Sequence, residues 1–121
     1  MQKSISVFFP AYNEEENISE VLSDANSLLS GLTKNYEIIV VDDGSTDETG
    51  RIADEFAKKN QRIRVIHHDR NKGYGVALET GFSNSRYELV FYTDADRQFD
   101  INELKKLLEY TTDYDIIVGY K

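Results

Sequence analysis

Ile38-Ile39-Val40-Val41 is an unbroken apolar, wholly β-branched run, and it leads straight into Asp42-Asp43-Gly44-Ser45-Thr46-Asp47. A strand with one wet face alternates apolar and polar residues. A continuous run needs cover on both faces, which is how strands of parallel sheets read. Parallel neighbours cannot be joined by hairpins; each needs a crossover, usually a helix. This run therefore predicts that strands and helices alternate along the chain.

They do. Ile5-Ser6-Val7-Phe8-Phe9 reads as a first strand, ended by Pro10. Asn13 with Glu16 has the spacing of a capping box, and Ile18, Val21, Leu22, Ala25, Leu28, Leu29 and Leu32 then recur at helical spacing, with Gly31 as the stop. After the strand Tyr36–Val41, Ser45 with Glu48 or Thr46 with Thr49 can open a second helix, whose inner face is Ile52, Ala53, Phe56 and Ala57. Ile63–His67 is a third strand, and Val76, Ala77, Leu78, Gly81 and Phe82 line a third helix. Tyr87–Tyr92 is a fourth strand; Asp100 with Glu103 opens a helix carrying Ile101, Leu104, Leu107 and Leu108, and Tyr114–Val118 closes the series. Right-handed βαβ units follow, giving one α/β domain over residues 1–121 with a mainly parallel sheet and helices on both faces. In such sheets ligands sit outside the carboxyl ends of the strands. Four polar motifs fall at those ends: 10–14, 42–47, 71–75 and 94–98.

Composition narrows the function. A net charge of −8 argues against a nucleic-acid partner and suits an anionic ligand that arrives with a divalent cation. With no cysteine there is neither a disulfide framework nor a thiolate metal site, which fits a reducing compartment. The start runs straight into a strand without a signal-peptide pattern, so no secretory leader is expected, and no apolar run is long enough to span a bilayer.

The fourth motif carries the most chemistry. Asp94 and Asp96 lie two apart at a strand end, so in extended backbone they point the same way, and a tight turn brings Gln98 after them. Two carboxylates and an amide oxygen make a hard site suited to Mg2+ or Mn2+, with other positions left to water and phosphate. An EF-hand is excluded, since Phe99 and Lys105 stand where its loop needs Gly and Glu. In isolation, such a pair more often just solubilises a loop. Pro10-Ala11-Tyr12-Asn13-Glu14 is not the G-x-G-x-x-G of dinucleotide binding. Its proline turn presents Tyr12 to stack on a base or ribose and Glu14 to accept from a hydroxyl; the alternatives are a core tyrosine and a carboxylate that favours a helix start. Asp43, at the strand tip, is the aspartate placed to accept from the imino N–H of a base, while Asp42 fastens a neighbouring loop. Asn71-Lys72-Gly73-Tyr74-Gly75 offers backbone N–H groups and an ammonium to an anion such as a diphosphate, although a lone G-x-G is as readily a plain loop. His67 and His68 read as surface or loop-packing residues.

Together these stretches resemble the family 2 glycosyltransferases of the GT-A fold: Phe9–Glu14, Ile39–Asp47, Asn71–Leu78 and Asp94–Gln98 occur in that family's order and spacing. The dolichyl-phosphate mannosyltransferase and bacterial prenyl-phosphate branch is the most similar, because Asp94-Ala95-Asp96-Arg97-Gln98 matches its D-A-D-x-Q. The resemblance implies a Rossmann-like GT-A nucleotide-sugar fold. Pro10, Ala11, Tyr12, Glu14, Val41, Asp43, Lys72 and Gly73 would hold the donor; Asp94, Ala95 and Asp96 would meet ribose, diphosphate and metal, with Asp94, Asp96 and Gln98 as metal ligands. It further implies transfer of a sugar from a UDP- or GDP-sugar to an acceptor such as a prenyl phosphate. Relatives continue well past a fifth strand, and no Q-x-x-R-W motif is present. Residues 1–121 are therefore expected to be the donor-binding part of a longer, cytoplasmic enzyme, held at a membrane's cytoplasmic face through its later part. Two other readings compete: a non-catalytic module binding a nucleoside diphosphate, and a receiver-like signalling domain using Asp42-Asp43. The latter conflicts with Pro10 standing where a receiver's acid pair belongs.

Overall fold

The structure is a computed structural model, and it describes residues 4–96. Strands and helices alternate as β1 (Ile5–Ala11), α1 (Ile18–Leu32), β2 (Tyr36–Asp42), α2 (Thr49–Lys59), β3 (Ile63–His67), α3 (Tyr74–Asn84) and β4 (Leu89–Tyr92). All neighbouring strands are parallel, in the order β3-β2-β1-β4. The expected Asp100–Leu108 helix, the 114–118 strand and Gln98 lie outside the described residues. No described helix is long and apolar enough to cross a membrane.

The order explains the opening run. β1 and β2 are interior strands, and every residue of both is buried. Alternate side chains enter two cores. Val7, Phe9, Ile38, Val40 and Phe91 pack with Ile18, Leu22 and Leu29 of α1 and Ala53 of α2. Phe8, Ile39, Val41 and Val90 pack with Ala77 of α3. On that second face Phe8 stacks on Tyr92 at 5.2 Å between centroids and meets Phe82 edge-on at 5.1 Å. Gly81 permits this approach, since a Cβ there would come within 2.2 Å of the Phe8 ring. The chain steps outward from β1 through β2 to β3, then returns to place β4 on the other side of β1. The reversal falls between β1 and β4, where an open parallel sheet leaves a crevice at its carboxyl edge.

Several boundaries differ from the sequence reading, each for a local reason. β1 runs through Pro10 to Ala11. The ladder with β4 ends at Phe8 and Tyr92, so the side of β1 on which Pro10 lacks an N–H has no strand left to bond. α1 begins at Ile18, after a turn in which Glu14 O accepts from the Asn17 and Ile18 N–H groups. Asn13 caps nothing: it sits at φ 53°, and its side chain accepts from Thr46 N–H at 2.8 Å. Gly31 lies inside the last turn of α1, which ends at Leu32 with Thr33 as its C-cap. β4 starts two residues late because Arg86 N–H and Tyr87 N–H donate to the side chains of Glu37 and Ser6. Glu37 is buried, and its carboxylate is met by Ser6 Oγ at 2.6 Å and by the Arg64 guanidinium at 2.9 Å, which compensates its desolvation.

Candidate functional site

A cleft of about 290 Å³ opens at the carboxyl edge, above the β1–β4 crevice. It is lined by residues of all four motifs: Pro10, Ala11, Tyr12 and Glu14 from the first, Asp43 from the second, Asn71, Gly73 and Tyr74 from the third, and Asp94 and Asp96 from the fourth. Ala77 of α3 completes its wall.

The loops around the cleft are tied to one another before any ligand arrives. Asn13 N–H donates to Ser45 Oγ, Glu14 N–H to Thr49 Oγ1 and Glu15 N–H to Asp47 Oδ2. In return Thr46 N–H donates to Asn13 Oδ1 and Glu48 N–H to Glu15 Oε1. The segments after β1 and β2 are thus laced together. Asp47, instead of Ser45 or Thr46, accepts the Thr49 N–H that opens α2.

Asp42 and Asp43 point to opposite faces, as their alternation predicts. Asp42 Oδ1 accepts from Ser45 N–H, and Oδ2 lies 2.7 Å from His67 Nδ1 on the α2 side. Asp43 Oδ1 accepts from Lys72 N–H at 2.9 Å and lies 2.8 Å from His68 Nδ1, while Oδ2 accepts from Gly73 N–H at 3.1 Å. Burial alone would push the Asp43 carboxyl up, but the hydrogen bonds from His68, Lys72 and Gly73 outweigh it and hold it below its ordinary range. Gly44 makes room for this clasp. It adopts φ +71°, and a Cβ on it would fall 2.2 Å from the Arg70 carbonyl carbon.

This revises three parts of the sequence reading. Fastening the neighbouring loop falls to Asp43, whereas Asp42 ties down its own turn. The Lys72 and Gly73 N–H groups, expected to be offered to an anion, are already given to Asp43. Of the histidines, read as surface or loop-packing residues, His67 is exposed as expected, but each also faces one aspartate of the pair, and His67 Nε2 reaches Asp54 at 2.9 Å.

Among the other expected site residues, Tyr12 is exposed at the cleft mouth. Val41 and Ala95 are buried in the two cores, away from the lining. The Lys72 side chain is not part of the lining and stands 3.7 Å from Asp69. Tyr74, passed over in the sequence, donates its hydroxyl proton to Asp94 Oδ1 at 2.9 Å. Local desolvation of the hydroxyl, followed by that carboxylate, pushes the phenol well above its usual range, although the side chain as a whole is exposed. Asp96 Oδ1 is buried, and among the described residues no hydrogen-bond donor reaches it. An acceptor-only carboxylate oxygen left so in a polar cleft is suited to a cation. Among the described residues no third His, Cys, Asp or Glu completes a metal cluster with this pair.

The Glycosyl transferase family 2 pattern matches residues 6–120. Human dolichyl-phosphate beta-glucosyltransferase is 37% identical over 112 residues, which cover 87% of this chain and 35% of that protein. Among solved structures, a mannosyltransferase from Pyrobaculum calidifontis in complex with GDP-Man and Mn2+ superposes with a TM-score of 0.78 at 24% identity, covering 93% of this chain and 33% of the other. Glucosyl-3-phosphoglycerate synthase from Mycobacterium tuberculosis, in complex with Mn2+, UDP and glucosyl-3-phosphoglycerate, gives a TM-score of 0.70 at 27% identity, over 93% of this chain and 41% of that one. The chain thus spans about a third of the length of the human relative.

Proposed function

The chain belongs to glycosyl transferase family 2, and we propose that it forms the donor side of an enzyme moving a sugar from a UDP- or GDP-sugar to an acceptor such as a prenyl phosphate. The observation that carries this is the single cleft in which Tyr12, Glu14, Asp43, Asp94 and Asp96, from the ends of β1, β2 and β4, converge. In this reading the Tyr12 ring packs on the base or ribose, Asp43 accepts from a base imino N–H, and Glu14 accepts from a hydroxyl. Asp94 and Asp96, with Gln98, would hold Mg2+ or Mn2+; the donor-less Asp96 Oδ1 fits such an ion. When bound, a divalent cation there supplies positive charge for the diphosphate leaving group. Tyr74 keeps Asp94 turned into the cleft. The laced loops hold these groups in place, so little ordering is left to occur on binding. The human relative's name supplies the prenyl-phosphate acceptor class, and the Mycobacterium structure the nucleotide and Mn2+.

Calorimetric titration of the chain with UDP and GDP, each with and without Mn2+, tests the reading. It expects one of the two to bind, tighter with Mn2+ present, and the Mn2+ effect to vanish in Asp96→Ala. Failure of both nucleotides to bind would reject it.

A further inference from the structure

His68 stands one residue beyond β3 with 8% of its side chain exposed. Its Nδ1 lies 2.8 Å from Asp43 Oδ1, and its Nε2 lies 2.9 Å from Thr80 Oγ1 on α3. An ionised carboxylate can only accept, so Nδ1 carries a proton. In the neutral ring Nε2 is then the acceptor and the Thr80 hydroxyl the donor. The polarity runs one way, from Thr80 to His68 to Asp43. It links α3 to the end of β2 across the end of β3.

That chain decides which part of Asp43 is left for a ligand. Oδ1 receives His68 Nδ1–H and Lys72 N–H, whereas Oδ2 receives only Gly73 N–H. A carboxylate oxygen accepts about two hydrogen bonds. Oδ1 is therefore filled, and Oδ2 keeps one acceptor position on a carboxylate that lines the cleft.

We propose that His68, itself held by Thr80, is a positioning residue that fixes the rotation of the Asp43 carboxylate so that one Oδ2 position accepts an imino N–H, selecting uracil- or guanine-type bases over bases that lack this donor. The proposal rests on the reading of Asp43 as the base acceptor and names what sets its selectivity. Without the His68 donor Oδ1 also keeps an open position, and only the two loop N–H groups restrain the carboxylate's last torsion. The loop would still be held by its own two N–H groups, so the loss falls on discrimination more than on folding.

The test measures dissociation constants of UDP, GDP, CDP and ADP with Mn2+ for the intact chain and its variants. Adenine and cytosine offer no ring imino donor. The wild-type chain is expected to prefer UDP or GDP. His68→Phe should lower that preference by about tenfold, the scale of one lost hydrogen bond to a charged group. Thr80→Val should shift it the same way, and His68→Gln, whose amide can both donate and accept, should recover part of it. Nitrogen-15 spectra of the ring should show the Nδ1-protonated tautomer in the wild type. Undiminished preference in a folded His68→Phe overturns the proposal. If that variant does not fold, undiminished preference in Thr80→Val together with an Nε2-protonated ring in the wild type does so. Asp43→Ala, which removes both acceptor oxygens, separates the two levels. If it keeps the preference, the base reading itself fails; if it loses the preference while His68→Phe keeps it, only the positioning role fails.

Discussion

Asp43 is held by three donors in a buried setting, and each comes from a different residue. Replacing it should therefore do more than delete a ligand contact. Asp43→Ala is expected to weaken UDP or GDP binding by about 1–3 kcal/mol, the cost of stranding polar partners. It should also speed hydrogen exchange at the Lys72 and Gly73 amides, whose acceptor it removes. Calorimetry reads the first effect and amide exchange the second; unchanged affinity would move base recognition to another residue. Asp42→Ala should spare the amides of residues 72 and 73, because Asp42 bonds Ser45 and His67. At this scale much of the site is legible in the sequence. Tyr12, Asp43, Asp94 and Asp96 are polar or aromatic residues just past strand ends, and the carboxyl edge of a parallel sheet is where such residues meet. His68 is not legible that way. Asp42-Asp43 and His67-His68 are both doublets at strand ends, and the β2–β3 register that sets Asp42 beside His67 is what matches them. Register is a product of packing the whole sheet, which no local pattern states. Tyr74 is missed for a related reason: its reach to Asp94 depends on how α3 lies over β4.

The elements are fitted by contacts that a single group can break. α3 approaches β1 closely because Gly81 has no side chain against Phe8. Gly81→Ala should force the helix outward and cost about 1–3 kcal/mol, the usual penalty of overpacking a core. Thermal or urea unfolding would show it, and a variant as stable as the wild type would mean the helix shifts freely. β3 and α2 are joined by His67, which bridges Asp42 and Asp54. Burial opposes its charge, but the carboxylates of Asp54 and Asp42 outweigh that and raise its pKa above 6.5. A histidine that gains proton affinity on folding stabilises the fold fully below its unfolded pKa, and the benefit fades as pH rises through the folded one. The melting temperature of the wild type should thus fall relative to His67→Gln between about pH 6 and pH 8. Parallel pH profiles for the two proteins would contradict this bridge. Element identity and order follow from periodicity, and all seven described elements were foreseen from it. Helix starts were not. The Asn13–Glu16 spacing suits a cap, yet the structure uses Asn13 to hold Thr46 and delays α1 to Ile18. A side chain that can cap a helix can equally bind a loop brought close by tertiary packing.

At the scale of the whole molecule, the described residues build one polar edge of a parallel sheet. All four motif loops meet in the cleft, and the cleft's polar groups suit a nucleoside diphosphate and its cation. The human relative is nearly three times as long as the part this chain aligns with, since 112 aligned residues are 35% of it. In the proposed function, donor binding draws on the sheet edge and its laced loops. Transfer also needs an acceptor oxygen held in line with the departing diphosphate, and losing that positioning forfeits several kcal/mol of barrier lowering. The 121-residue chain is therefore expected to bind the donor nucleotide with Mn2+ while forming glycolipid about 100-fold or more slower than a version extended to the relatives' length. Slow hydrolysis of the donor can persist, because water reaches the sugar without being placed by an acceptor pocket. The measurement incubates both versions with radiolabelled UDP-glucose or GDP-mannose, Mn2+ and a prenyl phosphate, and separates glycolipid from free sugar. Nucleotide binding with little glycolipid would agree with a donor side that depends on further sequence for its acceptor. Glycolipid formed by the 121-residue chain at the rate of the longer version would place the acceptor site within these residues and end the donor-side reading.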